Sequence, residues 1–131
     1  MGSYARGWAG RVMARDILRF PKQGEVWWID LEPVRGHEQG KRRPCLVVSD
    51  NAFNAIPHGL VWVVPVSSSP RRHNLTVEVT PPEGGLKVMS AVLCHQLRTV
   101  SIERLNKRAG GVSPVTMREV MRRIVLVLGV Q

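Results

Sequence analysis

The sequence predicts a mainly β domain of the α+β class, in which a small, twisted, mostly antiparallel sheet curls toward a barrel and a helix follows at the C-terminus. From Glu25 onward, short runs rich in β-branched and aromatic residues alternate with clusters of Gly, Pro, Asn or Ser, which is typical of strands. The end of the chain has helical periodicity instead. With 131 residues, the chain can form one domain whose core needs neither disulfides nor metal.

Five runs are predicted to form strands. They are residues 26–31 (VWWIDL), 45–48 (CLVV), 60–66 (LVWVVPV), 75–79 (LTVEV) and 88–97 (VMSAVLCHQL). Five strands this short indicate a sheet that twists and curls toward a barrel. Pro65 lies near the end of the third run and predicts a sheet edge or a bulge, because proline cannot donate a hydrogen bond to the ladder.

A C-terminal helix is predicted to begin after Ser113, a good N-cap, with Pro114 as its first residue. Apolar side chains then recur at helical spacing, at Met117, Val120, Met121, Ile124 and Leu128. This apolar face is expected to pack on the sheet. A shorter helical turn is expected at Ser101, where it would bury Ile102 and Leu105.

The net charge limits the classes of partner. Nineteen Lys and Arg residues against ten Asp and Glu residues give a net charge of +9, which is large for a domain of this size. Nucleic acid is therefore the leading class of partner. A basic surface that is merely solvated explains the charge equally well, so charge alone does not decide between the two.

Cysteine usage and hydropathy indicate a reduced, cytoplasmic protein. Cys45 and Cys94 lie in apolar runs and have the spacing of neither a zinc site nor a disulfide framework, so we expect reduced core residues and no cofactor. The apolar run at 124–130 is too short to span a bilayer, and no signal sequence is evident. Residues 1–20 are predicted to form a flexible basic arm ahead of a domain at 21–131.

The segment 32–43 has the length and composition of a functional loop, because it joins two predicted strands without helical period. His37 can exchange a proton near neutral pH, since an unperturbed histidine has a pKa of about 6.5. Glu38 can act as an acid or base, although an ion pair with Lys41 is the simpler explanation. Arg43 lies where the chain enters a strand, so its guanidinium can be aimed at a phosphate.

Together, these side chains suit phosphodiester chemistry, which needs proton transfer and cations facing a developing dianion. RNA is the more economical substrate. Its 2′-hydroxyl is a built-in nucleophile, so a protein without metal ligands can cleave RNA by activating that group.

Three segments resemble a known family. They are GEVWWIDLEPVRGHEQGKRRPCLVVS (24–49), VVPVSSS (63–69) and VLCHQLRTV (92–100), and they resemble the MazF/PemK family of toxin endoribonucleases of type II toxin-antitoxin systems. The GHEQ motif is most similar to the PemK/Kid branch. The resemblance implies a homodimeric, SH3-like or CcdB-like barrel that cuts single-stranded RNA at short sequences without metal. It also implies inhibition by a cognate MazE/PemI-like antitoxin.

The resemblance assigns roles to residues of this chain by position. Arg43 corresponds to the catalytic arginine of the family, and Glu38 corresponds to the acidic residue of its E-Q motif. His37 corresponds to the histidine of the PemK branch. Ser67 lies where most MazF proteins have a catalytic threonine, so a hydroxyl is retained.

The chain departs from the family pattern at CHQ. His95 occupies the position of a family aspartate, and Leu93 occupies that of an arginine in the PemK branch, whereas Gln96 is retained. If His95 faces the cleft, it can act with His37 as a base and acid pair. If it faces the core, a weak enzyme is expected.

The implied mechanism is attack by the 2′-hydroxyl on the adjacent phosphorus, which yields a 2′,3′-cyclic phosphate and a 5′-hydroxyl end. Either His95 or Glu38 takes the proton, and His37 donates one to the leaving oxygen. Arg43 and Ser67 stabilise the phosphorane.

RNA binding is expected to involve polar residues around this site. The candidates are Gln39, Lys41, Arg42, Ser68, Arg71, Arg72 and Gln96. The loops 68–74 and 80–87 are expected to flank the groove. Trp28, Phe53 and Trp62 are candidates for base stacking, but a place in the core or a dimer interface explains each more simply.

Two other functions fit the fold. A CcdB-like toxin would bind DNA gyrase without nuclease chemistry and would tolerate the changes at Leu93 and His95. A basic barrel that binds nucleic acid without cutting it is the weaker alternative, because the GHEQ motif and Arg43 are retained together.

Overall fold

The computed structural model describes residues 20–31, 42–69 and 74–130. Within these ranges the chain forms seven strands, two α-helices and three 3₁₀ turns. The strands are β1 (Glu25–Asp30), β2 (Arg42–Val47), β3 (Leu60–Ser67), β4 (Thr76–Val79), β5 (Ser90–Leu93), β6 (Arg98–Ser101) and β7 (Leu105–Gly111). The helices are α1 (Asn51–Asn54) and α2 (Pro114–Leu128), and the 3₁₀ turns cover Glu83–Gly85, Cys94–Gln96 and Ile102–Arg104.

The strands form one antiparallel sheet in the order β4-β5-β3-β2-β1-β7, and β6 pairs with β3 beside this path. This confirms the predicted antiparallel sheet with a C-terminal helix. The sheet is not closed, since β4 and β7 stand at its two ends and do not pair within the described ranges. In the segment between β4 and β5, the turn at Glu83–Gly85 packs against β7.

The prediction of a single strand at 88–97 is wrong. The 3₁₀ turn Cys94–Gln96 interrupts it, so that β5 pairs with the end of β3 and β6 pairs with the beginning of β3. β7 was not predicted at all, although it pairs with β1. The predicted turn after Ser101 is confirmed, and the Ser101 side chain accepts a hydrogen bond from the N–H of Glu103.

Pro65 does not mark an edge strand, because β3 is central in the sheet. On one side, Pro65 is opposite Cys45 of β2. On the other side, β6 pairs with β3 up to Val63, and β5 begins to pair at Val66. The proline therefore falls where β3 changes partner, and a missing N–H is tolerated there.

Apolar clusters cover both faces of the sheet. The first cluster lies between the sheet and α2 and includes Val26, Leu46, Val64, Val120 and Ile124. The second cluster lies on the opposite face and includes Ile29, Leu31, Val47, Val61 and Val63. Adjacent residues of β1, β2 and β3 thus contribute to different clusters, as strand alternation requires.

The predicted helix is confirmed as α2, including its N-cap. The Ser113 hydroxyl accepts a hydrogen bond from the N–H of Thr116, and Pro114 follows it. Val120 and Ile124 are buried, but Leu128 is 58% exposed. The expectation that Leu128 packs on the sheet is wrong, because residues 125–128 are all exposed.

Both cysteines are buried and free, as expected for core residues. Burial raises the pKa of the Cys45 thiol to about 12 and that of the Cys94 thiol to about 11, so both remain protonated at neutral pH. Among the described helices, none is long and apolar enough to cross a membrane.

Candidate nucleic-acid interface

An open cavity of about 500 Å³ lies where the ends of β1, β2, β3 and β7 meet the segment that follows the Glu83–Gly85 turn. Five cationic side chains line it, from Arg42, Arg43, Lys87, Lys107 and Arg108. Its apolar lining comes from Trp28, Pro44, Val66, Leu86, Val88 and Ala109. No carboxylate is among the described residues that line it. The cavity is therefore suited to a polyanion that also has apolar surfaces.

Trp28 lies on β1 between the cations of the two neighbouring strands. In the antiparallel register it is directly opposite Pro44 of β2 and Lys107 of β7. Two arginines immediately precede Pro44, and a third follows Lys107. The sheet thus places positive charge on both sides of the Trp28 indole.

Arg43 is held in the strand ladder, as the sequence predicted. β2 begins at Arg42, and Arg43 is opposite Ile29 of β1. Arg43 is half-buried and is one of the residues that line the cavity. A planar guanidinium on a fixed backbone can bind two phosphate oxygens at once.

Arg108 is oriented by an ion pair with Glu25. The Nε of Arg108 donates to Oε2 of Glu25 at 2.8 Å, and Oε1 of Glu25 accepts from the N–H of Lys22 and the indole N–H of Trp27. Burial alone raises the pKa of the Glu25 carboxyl, but these hydrogen bonds and the Arg108 charge outweigh it and hold the pKa below 4.5. The carboxylate stays charged at neutral pH and keeps Arg108 beside the cavity.

Two close contacts fix the segment that forms the outer wall of the cavity. Gly85 has a φ of +71°, and a Cβ at this position would lie 1.9 Å from the carbonyl oxygen of Ala109. Only glycine permits this approach to β7. At the other end of the turn, the Glu83 carboxylate accepts a hydrogen bond from the N–H of Ser113 at 2.9 Å. Lys87 therefore has a defined place in the wall.

The structure brings three predicted site residues together at the cavity, namely Arg42, Arg43 and Ser68. Ser67 is 6% exposed and does not line the cavity, and its hydroxyl accepts a hydrogen bond from the N–H of Ser69. Other predicted site residues lie outside the described ranges: His37, Glu38, Gln39, Lys41, Arg71 and Arg72.

The CHQ turn lies apart from this cavity. His95 is exposed and Gln96 is half-buried, and neither lines the cavity. The orientation in which His95 faces the core is therefore excluded. Leu93 is 4% exposed, so this position contributes to the interior of the protein.

Sequence reasoning missed two of the cavity's cations, Lys107 and Arg108, because β7 was not recognised. Lys87 belongs to the loop 80–87 that was expected to flank a groove, and it does line the cavity. For metal binding, the described ranges contain no group of three His, Cys, Asp or Glu side chains that could hold an ion.

The chain belongs to the PemK-like, MazF-like toxins of type II toxin-antitoxin systems, because the model of that family matches residues 22–128. The resemblance inferred from the motifs is thereby confirmed. Among individual proteins, the chain is 34% identical to the endoribonuclease PemK of Escherichia coli over 124 residues, which cover 93% of this chain and 92% of that protein.

Solved structures show the same fold. MazF from Deinococcus radiodurans matches with a TM-score of 0.74 and 29% sequence identity, over 84% of this chain and 97% of that one. An endoribonuclease from a mycobacterial species, solved in complex with its cognate antitoxin, matches with a TM-score of 0.71 and 25% identity, over 85% of this chain and 97% of that one.

Proposed function

We propose that this chain is the toxin of a type II toxin-antitoxin pair and acts as an endoribonuclease on single-stranded RNA. The observation that carries the proposal is the cavity lined by Arg43 and four further cations, with no described carboxylate in its lining. Such a lining favours a substrate with closely spaced phosphates, and the family match supplies the reaction class.

The cleavage chemistry follows from where charge develops. The 2′-oxygen forms a bond to the adjacent phosphorus, and the bond from phosphorus to the 5′-oxygen breaks, which leaves a 2′,3′-cyclic phosphate and a 5′-hydroxyl. Arg43 binds the phosphoryl oxygens as they gain charge. Ser67 is 6% exposed and does not line the cavity, so we assign its hydroxyl, which accepts a hydrogen bond from the N–H of Ser69, to holding the 67–69 segment in place rather than to contact with the phosphate.

Two protons move in this step. One leaves the 2′-hydroxyl and is taken by His95 or Glu38, and the other is donated by His37 to the departing 5′-oxygen. The position of His95 on an exposed turn away from the cavity favours Glu38 as the base in a single protomer. No metal or other cofactor takes part in the proposed reaction.

RNA binding extends over the residues around the reacting phosphate. We assign substrate contacts to Gln39, Lys41, Arg42, Ser68, Arg71, Arg72 and Gln96. The domain at 21–131, which contains the family match at 22–128, carries this activity as a homodimer in the cytoplasm, where mRNA is available. A cognate antitoxin that covers the cationic cavity with an acidic segment would block RNA entry.

The decisive experiment compares purified wild type with Arg43→Ala on a long single-stranded RNA in EDTA. Wild type is expected to cut and to leave cyclic phosphate ends, whereas Arg43→Ala loses a factor of about 10² to 10³ in rate. Arg118→Ala is a matched control, because Arg118 is an exposed arginine of α2 that does not line the cavity.

Each other outcome contradicts part of the proposal. Equal cutting by wild type and Arg43→Ala removes Arg43 from the mechanism. Growth inhibition by a wild-type protein that cuts no RNA but inhibits DNA gyrase would support the CcdB-like alternative. The endoribonuclease named among the relatives favours RNA cleavage over gyrase binding.

A further inference from the structure

We infer that Trp28 is a base-stacking residue, and that one nucleobase of the RNA packs on its indole while the flanking phosphates bind the cations of β2 and β7. This inference rests on the proposed function and specifies how the same cavity binds one nucleotide of the RNA. The stacking contact is not predictable from composition or from the strand pattern, since both favour a core or interface position for Trp28.

Among the described residues, two tryptophans are exposed, and their surroundings differ. Trp28 is 38% exposed and Trp62 is 41% exposed. Trp62 meets the ring of Phe53 edge to face, with centroids 6.3 Å apart, and does not line the cavity. Trp28 lines the cavity together with the cations. The two indoles are therefore similarly exposed, but only Trp28 lies at the cationic cavity.

The sheet geometry matches a single nucleotide. β1 lies between β2 and β7, so their cations are separated by two interstrand spacings, about 10 Å in all. Trp28 is midway, opposite Pro44 and Lys107. A nucleotide has its base between two backbone phosphates. A base on Trp28 therefore places one phosphate toward the β2 cations that line the cavity and the next toward Lys107.

The surroundings of Trp28 favour stacking over hydrogen-bonded recognition. Pro44, Val66 and Leu86 supply apolar lining beside the indole. A base that enters loses water from its faces, and every base has a π face that can pack on an indole. The cavity volume of about 500 Å³ lies within the usual range of ligand sites, about 300 to 1,000 Å³.

The β7 side of the cavity is ordered before RNA arrives. Glu25 holds the Nε of Arg108, so binding a phosphate there costs less side-chain entropy than ordering a free arginine. Glu25 is thus a positioning residue that acts through Arg108. Trp28 itself touches the base.

The test measures binding separately from cutting. An RNA that wild type cuts is synthesised with a 2′-deoxy nucleotide at the cut site, so that the chain can bind it without cleaving it. Trp28→Leu, which keeps apolar packing but removes the π face, is expected to weaken binding by about 5-fold to 150-fold. Trp28→Phe keeps most of the affinity, and Trp62→Leu is the matched control with wild-type affinity.

An abasic scan then identifies the contact. The same RNA is made with one base removed at each position in turn. At the stacked position, base removal weakens wild type but leaves Trp28→Leu unchanged, so the two proteins bind that RNA equally. Thermal melting of each variant verifies that it is folded. Trp28→Phe provides the comparison in a folded protein even where Trp28→Leu is unstable.

The results distinguish this inference from the proposed function. RNA cutting by wild type together with wild-type affinity in Trp28→Leu overturns the stacking inference alone. Loss of affinity in Trp28→Phe equal to that in Trp28→Leu also overturns it, because an aromatic face would then be irrelevant. Absence of RNA cutting by wild type overturns the proposed function itself.

Discussion

Arg108 on β7 and Glu25 on β1 form an ion pair in which Nε and Oε2 are 2.8 Å apart, and this pair holds a cation at the edge of the cavity. The same carboxylate accepts hydrogen bonds from the N–H of Lys22 and the indole of Trp27. One acidic residue thus connects the beginning of the sheet, its last strand and the proposed RNA site.

Replacement of Glu25 should make stability less dependent on acid pH. The pKa of Glu25 is below 4.5 in the folded chain, so its charge stabilises the fold above pH 4.5 and this contribution is lost as pH falls through the folded pKa. Glu25→Gln is expected to lower the free energy of unfolding by roughly 0.5 to 1 kcal/mol at pH 7, since Arg108 is half exposed.

Urea unfolding at pH 7, 4.5 and 3 measures this difference. The gap between wild type and Glu25→Gln should shrink as pH falls and the wild-type carboxyl takes up a proton. Glu103→Gln is a suitable control at an exposed position of the 3₁₀ turn Ile102–Arg104. A gap that stays constant with pH would contradict a charged Glu25 as its cause.

Lys107 and Arg108 should contribute to RNA affinity mainly through phosphate contacts. Each cation that neutralises a phosphate of a single strand adds about 0.7 to the slope of log affinity against log salt. Lys107→Ala and Arg108→Ala are each expected to flatten the slope by about that amount. Affinity for uncleavable RNA at several salt concentrations is the measurement, and Arg118→Ala should leave the slope unchanged.

Gly85 and Gly59 offer a comparison of backbone strain with steric contact. Both have a φ of +71°, but a Cβ on Gly59 meets nothing within 4 Å, whereas one on Gly85 lies 1.9 Å from the Ala109 carbonyl oxygen. Gly59→Ala is expected to cost about 1 to 2 kcal/mol, the penalty for left-handed backbone. Gly85→Ala should cost clearly more in urea unfolding and should also weaken RNA binding, because Lys87 is displaced. Equal costs would contradict the close packing of this turn on β7.

Most elements of the fold could be predicted from the sequence, because the type and spacing of apolar residues within a segment are local signals. The β-branched apolar run at 60–66 and the helical spacing from Met117 to Ile124 are such local signals, and the strand and the helix were both predicted from them. β7 escaped prediction because its sequence, LNKRAGG, lacks alternation. Its pairing with β1 depends on contacts with distant parts of the chain, such as the ion pair between Arg108 and Glu25, which the local sequence does not reveal.

The site was predictable only where a motif marked it. Arg43 stands before a proline in a recognisable segment, and it lines the cavity. Exposure of Trp28 could not be predicted, since Val26 lies two residues earlier on the same strand and is buried. Which of the two is covered depends on where the other elements of the sheet end, and this is a property of the whole fold.

Arg42 and Arg43 are adjacent, and both line the cavity, yet they should differ in kinetic effect. Arg43 is proposed to bind the phosphoryl oxygens that gain charge in the transition state, so Arg43→Ala should lower kcat by about 10² to 10³. Arg42 is proposed to attract the strand equally before and during the reaction, so Arg42→Ala should raise KM several-fold with kcat nearly unchanged. Steady-state cleavage of a short RNA containing one cut site separates the two effects.

Arg43→Lys keeps the charge but loses the planar pair of donors, and it should stay close to Arg43→Ala in kcat. If Arg42→Ala lowers kcat as much as Arg43→Ala does, the two arginines share one role and the assignment of the scissile phosphate to Arg43 is wrong.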